Sequence, residues 1–445
     1  MPWPPRLKWK VAAMNPETRT LRVDYLARVE GEGALHLEIE GGRVTRAELA
    51  IFEPPRYFEA LLRGRDFHEA PDITARICGI CPVAYMMSAC QAMEDACGVA
   101  LPPAIQDLRR VLYCGEWIES HGLHVHLLHL PDFLGFPDAV QMARVHPEAV
   151  RRGLRLKKLG NALVEAVGGR AIHPVNVRLG GFYRAPPLET LQGLIPELAW
   201  AIEAAEETIR FVADLDFPDF EVDYEFIALV HPDEYPMNAG RLTSSRGGDW
   251  PVSDFPAVLT ETHVSHSTAL QSRRPDGTPV LMGPLARYAL NRERLTPRAR
   301  VAAAAAGLGT VCRNPYQAIV VRAVEILLAC EEALRLIKGY TPFEPAAMAV
   351  MPRAGEGHGA TEAPRGTLYH HYRIAADGII DSARIVPPTA VNQARIEADL
   401  VALAQANLDL ADDRLRALCE QAIRSYDPCI SCATHFLKLD VVRYP

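Results

Sequence analysis

The sequence lacks any apolar run approaching the roughly 18–20 residues that a membrane-spanning helix needs. Its longest small-apolar stretch, Val301–Leu308, is too short and gives way to polar and charged residues. No transmembrane span is therefore expected. The amino terminus, Met1–Lys10, carries an arginine and two lysines but not the apolar segment of a signal peptide. A cytoplasmic location is the expectation that follows. A basic surplus is also missing: the formal net charge is -8, which argues against a dedicated nucleic-acid binder with its basic stripe. The main basic cluster, Arg151–Lys158 (RRGLRLKK), reads as a solvated helix face or a partner contact. Internal repeats, low-complexity linkers and clean domain boundaries are absent as well.

What the sequence does hold is apolar mass, 49% of its 445 residues, enough for a large buried core. Residues Leu21–Phe52 alternate apolar and polar around a turn at Gly41–Gly42, the pattern of an antiparallel β segment. Helical periodicity follows over Arg56–Arg63, Val83–Cys97, Leu108–Leu130, Glu148–Val167, Leu188–Leu215, Pro297–Ile337 and Asn392–Tyr426. Gly366–Val386 alternates about Asp377–Gly378, a β-hairpin signal. Phe217–Asp276, rich in Pro, Asp and Gly, suggests only short strands. The fold expected is α+β and predominantly helical. A helical core over residues 55–215 and 297–426 carries small antiparallel β elements, β-rich at 20–53, in one integrated unit over 1–435.

Ten cysteines are too scattered, in a chain of this kind, to suggest a disulfide framework. Cys90, Cys97, Cys114, Cys312, Cys330 and Cys419 stand alone among apolar residues and read as small hydrophobes. The other four form two C-x-x-C pairs, Cys78/Cys81 in RICGICP (Arg76–Pro82) and Cys429/Cys432 in DPCISCATH (Asp427–His435). Such a pair puts two thiolates on one side of a tight turn, which suits a soft metal. One pair alone is a weak signal. Structural zinc sites usually use pairs about 12–20 residues apart, whereas 348 residues separate Cys81 from Cys429. Spacing alone leaves zinc, thiol redox chemistry and another metal open.

The residues around the pairs narrow this. RICGICP and DPCISCATH together resemble the two signature motifs of [NiFe]-hydrogenase large subunits. The resemblance continues through Arg28–Gly31 (RVEG), Arg56–Asp66 (RYFEALLRGRD), Gly169–His173 (GRAIH), Glu362–Gly366 (EAPRG) and Pro388–Asn392 (PTAVN). It implies the large-subunit fold and an oxidoreductase that reversibly cleaves dihydrogen into protons and electrons. Cys78 and Cys429 would be terminal on nickel. Cys81 and Cys432 would bridge nickel to an iron bearing CO and cyanide, a Ni–Fe(CO)(CN)2 centre. Glu30 matches the proton-transfer glutamate, receiving its proton from Cys429. Arg365 matches the arginine over the metals, and Pro364 the apolar wall of the diatomic-ligand pocket. Glu59, His435 and the carbonyl of Gln393 match the ligands of a magnesium or iron ion.

Two departures stand out. Tyr85 occupies the fourth place after the second cysteine, where many relatives have histidine. Ser120 stands where many have an aspartate that pairs with the arginine, which puts a salt-bridged Arg365 in question. Both features look like the cytoplasmic branch linked to pyridine nucleotides, the sulfhydrogenase-type enzymes. The resemblance further implies that a maturation protease removes residues 436–445 after His435. His121, His124, His126 and His129 form a cluster that reads as packed, hydrogen-bonded core histidines rather than a metal site.

The six remaining cysteines form no iron–sulfur pattern. A separate iron–sulfur small subunit is expected to carry the electrons away. The branch that the chain resembles implies further subunits that bind FAD and NAD(P) and carry more iron–sulfur clusters; no G-x-G-x-x-G fingerprint follows a strand here, so this chain is not expected to bind the nucleotide itself. Two other readings compete. One is a non-catalytic electron-transfer or proton-pump scaffold like the complex I large subunit, which lacks the four cysteines. The other is a zinc-stapled structural protein.

Overall fold

The computed structural model describes residues 18–52 and 57–434. The first seventeen residues, Arg56, His435 and the 436–445 extension lie outside them. Strands β1 (Thr18–Val23), β2 (Gly33–Glu40) and β3 (Arg43–Ile51) form an antiparallel sheet in that order. The alternation read from the sequence is realised on β2, where Leu35, Leu37 and Ile39 are buried and the residues between them are not. Gly41 and Gly42 make the β2–β3 turn with φ of 54° and 74°.

Helices follow: α1 (Phe58–Leu62), α2 (Ala70–Ala75), α3 (Pro82–Cys97) and α4 (Pro103–Leu123). Pro82 starts α3 where its missing N–H costs nothing. The Glu116 carboxylate, reaching over from α4, accepts from Val83 N (2.7 Å) and Ala84 N (3.2 Å). It serves as the cap that the sequence does not supply locally. Leu108–Leu130, expected as one helix, is α4 followed by a π-helical turn, His124–His129, and a last turn, Leu130–Phe133. Pro131 explains the change. It cannot donate to the carbonyl four residues back, and its ring crowds that carbonyl, so the ladder widens ahead of it.

Other expectations were realised with local differences. Asn392–Tyr426 is two helices, Pro388–Ala406 and Asp412–Ser425. In the break between them the Leu408 and Leu410 carbonyls accept from Arg19 of β1 (2.9 and 3.2 Å). The expected hairpin is present as Gly366–Ile374 and Ile380–Val386, but a third strand, Gly355–Ala363, completes the sheet. Its glycines hide its alternation from a sequence reading. They are needed because the strand lies hard against α3: a Cβ on Gly359 would sit 2.3 Å from the Ser88 carbonyl oxygen. Phe217–Asp276 holds strands of two to four residues, too short for a periodic signal.

One large apolar cluster runs from Leu21 to Cys432 and includes Leu37, Trp117, Ile326, Leu368 and Leu400. Within it α4 packs against the Pro147–Gly168 and Ala318–Gly339 helices. No helix among the described residues is long and apolar enough to cross a membrane. The basic stretch is a solvated, charge-paired face. Arg155 reaches Glu197 (2.9 Å), Arg152 reaches Glu207 (2.5 Å) and Lys157 reaches Glu119 (2.8 Å).

The four histidines are buried and hydrogen-bonded. His121 meets Glu325 (2.9 Å), His124 the Arg424 carbonyl (2.7 Å), His126 the Thr208 hydroxyl (3.3 Å) and His129 the Ser425 hydroxyl (3.3 Å). Burial pushes the His126 imidazole down to about 3. Between pH ~6.5 and ~3 the unfolded chain therefore binds a proton at this position that the folded chain does not. Stability is expected to fall as pH drops through that window, by a few kcal/mol at ~1.4 kcal/mol per pKa unit. Urea midpoints measured from pH 7 to 4 should slope less steeply for His126→Asn than for the wild type. Equal slopes would assign the acid sensitivity elsewhere.

Candidate metal centre

Cys78 lies in the turn after α2, and Cys81 stands at the mouth of α3. Cys429 caps a single helical turn, Ile430–Ala433, and Cys432 lies within it. The fold closes the gap of 348 residues between the pairs. All four Sγ atoms lie within 4.8 Å of one another, and all four residues are buried. Cys78 Sγ is 3.5 Å from Cys429 Sγ, and Cys81 Sγ is 3.6 Å from Cys432 Sγ.

The third chain segment here is the RVEG loop. Glu30 pairs in parallel with Cys429, and Ile430 N donates to its carbonyl at 2.9 Å. The next residue, Gly31, has φ of 86° and a Cβ there would stand 2.7 Å from Ile430 Cβ. Only glycine lets the loop lie this close. The Glu30 carboxylate is thereby aimed at the site, with Oε2 3.1 Å from Cys429 Sγ and 3.1 Å from Ser431 N. Ser431 Oγ donates to the other carboxylate oxygen. The loop is anchored from behind by Arg28, which ion-pairs with Asp132, and Arg424 binds the same carboxylate at 2.7 Å.

Four thiols in so small a buried volume cannot ionise independently. Hydrogen bonds from the neighbouring thiols hold Cys78 well below the usual thiol range, whereas burial drives Cys429 well above it. A cation placed among them would stabilise the full set of thiolates, as metals do for coordinating thiols.

Arg365, 2% exposed, supplies a fixed positive charge beside them. Burial opposes that charge, but Asp427 and the thiols of Cys429, Cys81 and Cys78 outweigh it and keep the guanidinium protonated. Its Nε donates to the Asp427 carbonyl (2.9 Å) and lies 3.1 Å from Asp427 Oδ2; Nη2 donates to Oδ1 (3.1 Å). This answers the question raised by Ser120, which is buried with its hydroxyl unpaired. Arg365 is salt-bridged, but the carboxylate comes from Asp427 on the opposite segment. Asp427 is a functional residue that the sequence reading does not single out. Its place immediately before Pro428–Cys429 was the signal available. Arg365 Nη1 remains a buried donor with no partner, a feature that fits an added acceptor ligand in this pocket.

The EAPRG loop is immobilised by Arg287, also fully buried. It ion-pairs with Glu325 (2.8 Å) and Glu362 (3.0 Å) and donates to the carbonyls of Ala363 (2.9 Å) and Pro364 (2.8 Å). Trp117 donates to the Glu362 carbonyl at 3.0 Å. Pro364 is buried within this loop. Tyr85 sends its hydroxyl to the Cys432 carbonyl at 3.3 Å, and His173 of the GRAIH motif lies beside Cys78.

Glu59 sits against the third strand of the hairpin sheet, accepting from Ile385 N at 2.7 Å. Burial pushes its carboxyl up to about 8. Gln393 is buried, its amide donating to the Leu49 carbonyl at 3.1 Å. His435, the third member expected with them, lies outside the described residues. Cys90, Cys114, Cys312, Cys330 and Cys419 are buried apart from the site, and Cys97 is half-buried.

The family model for nickel-dependent hydrogenase matches residues 56–154 and 268–435. The chain is 34% identical over 430 residues to sulfhydrogenase 2 subunit alpha of Pyrococcus furiosus, covering 94% of this chain and 100% of that relative. It is 29% identical to the NAD-reducing hydrogenase HoxS subunit beta of Cupriavidus necator, with 94% and 95% covered. The crystal structure of an NAD+-reducing [NiFe]-hydrogenase in the H2-reduced state superposes with a TM-score of 0.86 at 29% identity, over 94% of this chain and 100% of that one.

Proposed function

This chain belongs to the nickel-dependent hydrogenase family and is a hydrogenase catalytic subunit, and from that premise we propose how its residues divide the work. Cys78, Cys81, Cys429 and Cys432 would hold a nickel–iron centre, Cys78 and Cys429 as terminal thiolates and Cys81 and Cys432 as bridging ones. The observation that carries this is the convergence of four buried sulfurs on one point, with a carboxylate 3.1 Å from one of them. When bound, the nickel–iron centre supplies the redox chemistry that cleaves dihydrogen heterolytically, with CO and cyanide completing the iron.

The protein's own groups handle the proton and the field. A proton on Cys429 Sγ lies within reach of Glu30 Oε2, so Glu30 is the first acceptor on the way out. Ser431 fixes both oxygens of that carboxylate and keeps it aimed. Arg365, held by Asp427, places a permanent charge and one free donor over the thiols, where cyanide is a suitable acceptor. Pro364 closes the same side with an apolar ring. Glu59, the Gln393 carbonyl and His435 hold magnesium or iron, and a mostly water-ligated magnesium suits so few protein oxygens.

Electrons leave through an iron–sulfur small subunit, since the six other cysteines are scattered through the core or at its edge and form no cluster pattern. NAD(P) and FAD belong to further partner subunits, as the likeness to NAD-reducing relatives suggests. The enzyme works in the cytoplasm, and a maturation protease cuts after His435.

Four sulfurs alone would also suit zinc. A partnered glutamate and a charged arginine at the sulfurs favour the hydrogenase reading over a structural staple. Elemental analysis of active protein is expected to give about one nickel per chain together with iron. Infrared spectra should show the CO and cyanide stretches. Zinc alone, with a silent infrared window, would overturn the proposal.

A further inference from the structure

We propose that Glu356, His358 and His371 form a second metal site, on the face of the hairpin sheet opposite the one packed on α3, that takes one divalent ion of the zinc class. The strand register brings the three together. His358 lies directly opposite His371, and Glu356 is two residues before His358, on the same face. One donor atom from each falls within 4.8 Å of the others. Glu356 Oε2 and His371 Nε2 are 3.3 Å apart. That matches the edge of a tetrahedron around zinc, ~3.3 Å for bonds of ~2.0 Å.

The surroundings favour a cation. His358 Nδ1 is bonded to the Tyr369 hydroxyl at 2.8 Å, which fixes the ring and leaves Nε2 for a metal. Tyr369 is itself clamped by stacking on Phe255, ring centres 4.3 Å apart. Asp95, Glu356 and Asp254 all lie close enough to His358 to add negative potential, and the first accepts from its backbone N at 2.9 Å. The two cations nearby have carboxylates of their own. Arg384, opposite His371, is held by Glu261 at 2.9 Å, and Arg373, opposite Glu356, lies 3.7 Å from Asp381.

The two imidazoles are stacked, 4.5 Å between centres and 6° between planes. Burial, and then the neighbouring His371, hold the His358 imidazole below its usual range. His371 and Glu356 are partly exposed and can swing, so that the lone pairs converge on one ion. Two nitrogens and one carboxylate suit zinc, cobalt, nickel or copper, and not the all-oxygen cations magnesium and calcium. The ion would staple two strands whose connecting turn carries Pro364 and Arg365, about 17 Å along the strand at ~3.3 Å per residue. Its effect would be to stiffen the hairpin on which that arginine rides.

The test uses the nickel–iron-loaded enzyme, whose four thiolates are already occupied, freed of loose metal on a chelating resin. Zinc chloride is then equilibrated against it from about 1 to 100 µM and zinc per chain is counted. Cobalt in its place gives visible ligand-field bands that report nitrogen and carboxylate ligation. One zinc per chain is expected in the wild type. Glu356→Gln should weaken binding about tenfold and the His358→Gln/His371→Gln pair about a hundredfold. Hydrogen-dependent dye reduction should stay at the wild-type value in both, and the zinc-free melting temperature should stay there in Glu356→Gln. Equal zinc affinity in wild type and variants would overturn the proposal, and so would no uptake by the wild type at 100 µM.

Discussion

Cys81→Ser is expected to yield a folded chain that contains no nickel and takes up hydrogen at less than about a thousandth of the wild-type rate. Serine is nearly isosteric, so the start of α3, held by Pro82 and the Glu116 carboxylate, should survive. Only the donor changes, from a soft thiolate to a hard alcohol that does not ionise at neutral pH. A four-sulfur site that loses one ligand loses both charge balance and its preference for a soft metal. Elemental analysis and hydrogen-dependent dye reduction check this. A variant that kept one nickel per chain and near-normal uptake would show that the metal is held elsewhere.

Glu30→Gln separates the proton path from the metal site. The amide keeps the shape of the carboxylate and can still bind Ser431, so the RVEG loop and its pairing with Cys429 should be undisturbed. What is lost is the ability to take a proton from Cys429 Sγ. A positioned acid–base group is worth about 10²–10⁴ in rate, so hydrogen uptake is expected to fall by about a hundredfold or more. Nickel, iron and the infrared bands should stay at wild-type values. Glu30→Asp, which can still carry a proton from a longer reach, should recover part of the rate. Unchanged turnover in Glu30→Gln would mean that protons leave by another route.

Much of the architecture was legible because it rests on local periodicity. β2 buries alternate residues, and α3 and α4 are apolar-rich helical stretches buried nearly all round; both kinds of pattern are visible in the chain. The strand Gly355–Ala363 was not, because its glycines answer to the backbone of α3 rather than to a polar–apolar rhythm. The π-helical turn before Pro131 and the break at 407–411 were missed for a related reason. Both are local deviations inside otherwise helical patterns, set by a missing N–H in one case and by contacts with β1 in the other.

The amino-acid sequence by itself determined the chemistry on offer. Two C-x-x-C pairs, a glutamate in RVEG and an arginine in EAPRG are donor types and short-range spacings, and these are properties of the chain. Tertiary structure alone decided which groups meet: Asp427 with Arg365 in place of a residue at position 120, Glu116 capping α3, and Glu356 with two histidines across a strand pair. The physical reason is that charge pairing and coordination depend on distances of a few ångströms between segments that lie from 15 to 351 residues apart in the chain. Those distances are set by how the whole core packs, and no local pattern encodes them.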